Sequence, residues 1–147
     1  MDFDHDIAII GGGLNGPALA LALSRAGLRV AVIDAQPAQT FENAAFDGRA
    51  YALALTSVRL MEGIGIWPDI ADDAQPMLEI KVTDGRAGTG PSPMFMHFDH
   101  AEIEEGPMGQ MVEDRHLRRA LLKAAAADPA ITMMNDCLLY TSDAADE

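Results

Sequence analysis

Five residues near the N-terminus have the types and spacing to hold a dinucleotide. Gly11, Gly12, Gly13 and Gly16 follow the short apolar run Ile7–Ile10, and Asp34 stands eighteen positions after Gly16. Gly11 permits a tight turn out of a strand, Gly13 lets the backbone approach a pyrophosphate, and Gly16 allows a helix to pack closely on that strand. The N–H groups at the start of the helix then face the phosphates, with the positive end of the helix dipole behind them. Asp34, at the end of the following strand, can accept hydrogen bonds from a ribose 2′-OH. A lone glycine signature is weak evidence, but here the strand before it, the helix after it and the distal acid are all present.

These residues need a βαβ unit to position them, and the sequence supplies one. Asp6–Ile10 is a near-continuous apolar run of the kind a buried parallel strand carries. Leu14–Ala26 repeats apolar residues at helical spacing (Leu19, Ala22, Leu23, Ala26), tolerates Pro17 in its first turn and stops at Gly27. Arg29–Ile33 is a second apolar strand, which a right-handed crossover sets parallel to the first.

Further along, Ala50, Leu53, Ser57, Leu60 and Ile64 mark the inner face of a helix ended by Gly63 and Gly65. Leu78–Thr83 alternates as a half-exposed strand, with Met94–Phe98 as its partner across a Gly/Pro-rich segment, residues 88–93. A helix over Asp114–Ala127 buries Leu117, Ala120, Leu121 and Ala124 and exposes Arg118, Arg119 and Lys123. Ile131–Met134 opens another core strand. The methionines at 94, 96, 108, 111, 133 and 134 are expected to fill the core.

Composition bounds the function. The chain has 147 residues, 49% of them apolar, which suits one globular domain. Its 23 acidic and 10 basic residues give a net charge of −13, which repels nucleic-acid phosphates. No apolar run is long enough to span a bilayer, and the acidic N-terminus lacks the basic start of a signal peptide, so a cytoplasmic location is expected. The single cysteine, Cys137, excludes an internal disulfide and a cysteine-based metal site. His97, Asp99, His100 and Glu102 can be drawn as a metal cluster, but strand geometry sends the two histidines to opposite faces, and no metal site is assigned. Gly-x-Ser-x-Gly is absent, and Glu104-Glu105 fits a solvated turn better than an acid–base pair. No catalytic residue is assigned.

The glycine turn alone does not choose between NAD and FAD. Its Gly-Gly-Gly form, the helix carrying Ala18, Ala22 and Gly27 and ending directly in Leu28-Arg29-Val30, and the first strand at the extreme N-terminus all lean towards FAD. With Asp47-Gly48-Arg49-Ala50-Tyr51-Ala52-Leu53, Gly63-Ile64-Gly65-Ile66-Trp67 and Met111-Val112-Glu113-Asp114-Arg115-His116-Leu117, the chain resembles the FAD-dependent aromatic hydroxylases, and among them the ubiquinone-biosynthesis group.

The resemblance implies an α/β fold: a Rossmann-like FAD-binding domain of the glutathione-reductase type, with a parallel sheet and a small antiparallel excursion. It implies FAD as cofactor, NAD(P)H as co-substrate, and transfer of one oxygen atom from O2 to an electron-rich aromatic ring such as a prenylated phenol. A prenylated substrate would bring a full-length parent into peripheral contact with the inner membrane. Asp34 would hold the adenosine ribose. Arg49 would meet the phosphate–ribose region, against a plain role as a solvated charge near a helix start. Gln110 lies where related hydroxylases place a flavin contact, and stands equally as a residue with no cofactor role. Arg115 is expected to cap or pair locally.

The same resemblance implies a later Gly-Asp segment, a substrate-binding sheet and a C-terminal helical region, none of which occurs in residues 1–136. Cys137–Glu147 matches the translated read-through of a transposon-type sequencing adapter. Residues 1–136 are therefore expected to be the N-terminal part of a truncated FAD-binding domain, inactive or barely stable alone, and 137–147 a non-native tail. Two other functions stay open: a fragment of an FAD-dependent dehydrogenase or oxidase, and a free-standing nucleotide-binding module.

Overall fold

The computed structural model describes residues 3–37, 45–86, 88 and 90–137. The tail assigned above therefore lies outside the described residues, apart from Cys137.

The first layer is parallel. Strands β1 (Ile7–Ile10), β2 (Val30–Ile33) and β8 (Ile131–Met134) form a sheet in the order β1-β2-β8. Ile7 pairs with Val30 and Val30 with Ile131, all strands running the same way. Helix α1 (Asn15–Arg25) connects β1 to β2, and helix α3 (Asp114–Ala127) feeds β8. Both pack on one face of the sheet. Ala20 and Leu21 of α1 meet Val30, Val32 and Ile131 of the strands and Leu117, Ala120, Leu121 and Ala125 of α3, all buried. Gly27 ends α1 in the left-handed conformation, and the Leu28 N–H reaches back to the Leu23 carbonyl. Two side chains fasten the far end of the helix. Ser24 Oγ donates to Asp128 beyond α3, and Arg25 donates to the Ile64 carbonyl at the end of the second helix.

The expectation of a buried first strand is corrected here. β1 is an edge strand whose residues alternate between half-buried and exposed, and Ile10 is 66% exposed. Among the described residues the helices α1 and α3 share one core with the sheet, and Ala8 and Ile10 of β1 point away from it to solvent. Only the central strand β2 is buried along nearly its whole length.

The second layer is antiparallel and corrects the reading of residues 50–64. Ala50–Ala54 is a strand, β3, and the helix α2 runs only over Leu55–Gly63. Alternation decides this: Tyr51 and Leu53 are half-buried while Ala50, Ala52 and Ala54 are exposed. The buried face of α2 is Val58 and Met61, followed by Ile64, whereas Leu60 is exposed. Two short 3-10 turns, Trp67–Asp69 and Ala71–Asp73, then lead to β4 (Gln75–Pro76). Strand β7 (Gly109–Glu113), absent from the sequence reading, lies between β3 and β4. Gly109 is required where it stands, because a Cβ there would overlap the Leu53 carbonyl.

The third element is a two-stranded ribbon, β5 (Glu79–Arg86) against β6 (Gly90–Asp99), with Ile80 opposite Phe98 and Val82 opposite Met96. The pairing expected from the sequence is present. The burial is not: Ile80, Val82, Phe95 and Phe98 are exposed, and Met94 and Met96 with them. Those methionines are ribbon surface and not core filler. In all, five of the eight strands described are antiparallel, so this part of the fold is larger than a small excursion.

The contrast between core and ribbon is measurable. Leu121→Ala removes a side chain that is 1% exposed and lowers stability by about 3 kcal/mol in urea unfolding. Phe95→Ser on the ribbon shifts it by less than about 0.5 kcal/mol.

Candidate nucleotide-binding site

The glycine turn leaves β1 as its spacing requires. Gly11 has φ +109°, a conformation that strains any residue with a Cβ, and its N–H donates to the Ile33 carbonyl, carrying the strand pairing into the turn. Gly16 lies in the first turn of α1 against the Gly11 carbonyl oxygen, which a Cβ at Gly16 would overlap. A Cβ at Gly13, in contrast, would meet nothing within 4 Å. The turn is thus closed on the side of its own helix and open above Gly13, as a cradle for an external group must be.

Asp34 directly follows β2. Its carboxylate accepts from the Gly12 N–H and from the Gln36 N–H, the latter at 2.6 Å. This ties the acid to the glycine turn across the parallel sheet, and a Cβ at Gly12 would press on the Asp34 side chain.

A cavity of about 410 Å³ opens over the turn. It is lined by Ile10, Gly11, Gly13, Leu14, Asn15 and Gly16 of the turn, together with Tyr51 of β3 and Arg118 of α3. Sequence reasoning missed both of the latter. Arg118 was expected on the exposed face of α3, yet its side chain is only 14% exposed.

Asp114 explains why. It is the one charged side chain buried among the described residues, at 4% exposed. Both of its oxygens accept from Arg118, at 2.9 Å each, one turn along the helix, and the Tyr51 hydroxyl donates to it at 3.1 Å. Arg49 approaches the same carboxylate at 3.5 Å, and the Asp114 N–H donates to the Arg49 carbonyl. The Arg118 hydrogen bonds, aided by that of Tyr51, hold the Asp114 carboxyl below the usual carboxylate range, against the opposing effect of burial.

Gly12 and Asp34, and the remaining sequence candidates, are not among the residues that line the cavity. Arg49 is half exposed and engages Asp47 through Nε at 2.8 Å. Gln110 is a mid-strand residue of β7 opposite Leu53 and Pro76. Arg115 pairs locally with Glu113, as expected, and also lies over the ring of Phe46, which is distant in sequence. On the ribbon, Glu79, His97 and Asp99 bring ligand atoms within 4.8 Å of one another. This differs from the set drawn from sequence. Glu79 is already ion-paired with Lys81, and His100 lies against Asp99 and the Leu78 carbonyl. Among the described residues no helix is long and apolar enough to cross a membrane.

A parallel βαβ unit with a glycine turn open to one side, and an acid at the end of its second strand, defines a dinucleotide-binding fold. Residues 4–145 match the FAD binding domain family, and the chain belongs to that family. It is 43% identical over 129 residues to the ubiquinone hydroxylase UbiL of Rhodospirillum rubrum, covering 88% of this chain and 29% of the relative. It is 35% identical over 130 residues to the 3-demethoxyubiquinol 3-hydroxylase of Escherichia coli, covering 87% of this chain and 32% of that one. The fold matches the p-nitrophenol 4-monooxygenase PnpA of Pseudomonas putida with a TM-score of 0.67 at 18% identity, over 92% of this chain and 33% of that structure. The chain thus spans about a third of the length of these relatives. FAD is the cofactor of this family, and the open cradle above Gly13 fits the approach of its diphosphate.

Two outcomes follow from the geometry. Gly16→Ala forces α1 away from the turn and lowers stability by about 1–3 kcal/mol, whereas Gly13→Ala leaves thermal unfolding essentially unchanged. For Asp114, the folded-state pKa is depressed below an unfolded value of about 3.9. Its stabilisation is therefore fully present above that value and lost as pH falls through the folded pKa. Asp114→Asn lowers stability by about 2 kcal/mol at pH 7, and the gap between variant and parent closes as unfolding is followed below pH 4.

Proposed function

We propose that the glycine turn holds the ADP half of FAD in a domain of the glutathione-reductase type. The turn from Gly11 to Gly16 presents backbone N–H groups to the pyrophosphate, and Asp34 accepts from the adenosine ribose in exchange for part of its present backbone bonding. The observation that carries this reading is the asymmetry of the turn, closed at Gly16 and open at Gly13. Arg49 and Gln110 are assigned outlying contacts to the phosphate–ribose and flavin regions. What supports Arg49 is its approach to Asp114, whose neighbours Tyr51 and Arg118 line the cavity.

The complete polypeptide is, on this reading, a flavin-dependent monooxygenase that hydroxylates an aromatic ring, specifically a prenylated phenol of ubiquinone biosynthesis. NAD(P)H is the reductant and O2 the oxygen source. Similarity to two ubiquinone-pathway hydroxylases supports the substrate class. Bound FAD supplies the redox and oxygen chemistry; the residues described here bind it, orient it and keep water from one side of it. A prenylated substrate brings a cytoplasmic enzyme to the membrane surface as a peripheral visitor. Residues 1–136 are assigned to the N-terminal part of the FAD-binding domain and 137–147 to a non-native tail.

The test uses the complete gene, read through codon 136. The purified holoenzyme, given NADPH, a prenylated phenol and 18O2, is expected to yield product carrying one labelled oxygen. Oxidation of substrate without label in the product would instead establish a dehydrogenase or oxidase.

A further inference from the structure

Among the described residues that line the cavity over the glycine turn, one carries a charged side chain, and it is Arg118. We infer that Arg118 is a second phosphate-binding element, contacting the cofactor diphosphate together with the glycine turn. The inference deepens the FAD reading and rests on it.

Three observations carry it. The first is placement. Arg118 and Tyr51 line the same cavity as Gly11, Gly13 and Gly16, so a group resting on the turn shares that space with the guanidinium. The second is orientation. Asp114 is not part of the cavity wall, and it grips Arg118 through two hydrogen bonds of 2.9 Å from Nε and Nη2. An anion entering the cavity meets the cationic member of the pair and not the carboxylate. The third is preorganisation. Arg118 is held at 14% side-chain exposure, in one geometry, by an acid that is itself 5% exposed and further bonded to Tyr51. A long cationic side chain held this way surrenders little rotamer freedom when it binds. Arg49 complements this role: it is half exposed and braces Asp114 from outside the cavity.

The contact should be specific for phosphate, so the test compares ADP with adenosine. Both ligands use the ribose site at Asp34, and only ADP reaches Arg118. Each is titrated into the full chain by ligand-observed NMR, which reads millimolar as well as micromolar affinities. The ratio of the two affinities is independent of the fraction of chain that is folded. Arg118→Gln is expected to lower the ADP-to-adenosine ratio about tenfold or more, and Arg118→Lys about threefold. Removing Arg118 alone exposes ADP to the Asp114 charge, so the double variant Asp114→Asn with Arg118→Gln is measured beside it. A ratio that stays low in the double variant supports direct contact. An unchanged ratio in Arg118→Gln overturns the inference. So does recovery in the double variant, which would mean that Arg118 only masks the carboxylate. Failure of the unaltered chain to bind ADP at all overturns the FAD reading and this inference with it.

Discussion

The nucleotide end of this molecule depends on one close approach, that of α1 to the chain reversal after β1. Gly16 sits against the Gly11 carbonyl with no room for a Cβ. That distance sets where α1 begins, and so where its first N–H groups point. It also places Ala20 and Leu21 of the same helix over Val30 and Val32. Core packing and cradle geometry are therefore one constraint. The parallel sheet supplies the counterpart, since Asp34 at the end of β2 bonds back to Gly12 and fixes the turn from the other side.

A second constraint joins the antiparallel layer to the first. Asp114 starts α3, and its carboxylate gathers Arg118 from α3, Tyr51 from β3 and Arg49 from the segment before β3. A buried ion pair of this kind gives little net stability, because desolvation opposes the attraction. Its value here is geometric. It fixes which side chains face the glycine turn, and it turns a helix-surface arginine into part of a cavity wall.

Much of this was legible from the residues. The βαβ unit, the stop at Gly27, the extent of α3, the strand at Ile131–Met134 and the ribbon pairing all follow from local periodicity and glycine placement, and the structure contains them. The strand at Ala50–Ala54 was hidden because Ala50, Leu53 and Ser57 also fit a helical period. The alternation of Tyr51 and Leu53 with small alanines was the competing signal, and strand pairing with β7 decided between them. The burial of β1 and the ribbon was overestimated for another reason: apolar sequence states what a strand can bury, not whether a layer is present to cover it. Arg118 was invisible for a third reason. Its position on α3 marks a solvated face, and only the nonlocal encounter with Tyr51 and the buried Asp114 gives it a different environment.

The central claim is that the turn from Gly11 to Gly16 is a nucleotide cradle closed by elements distant in sequence. The most direct measurement is a 15N–1H correlation spectrum of the chain, recorded as ADP is added. The account predicts the largest shifts at the amides of Gly11, Gly13 and Gly16, at Gly12 and Gln36 beside the Asp34 carboxylate, and at the Arg118 Nε–H. Shifts confined to the apolar β5–β6 ribbon, or a silent glycine turn at saturating ADP, would contradict it.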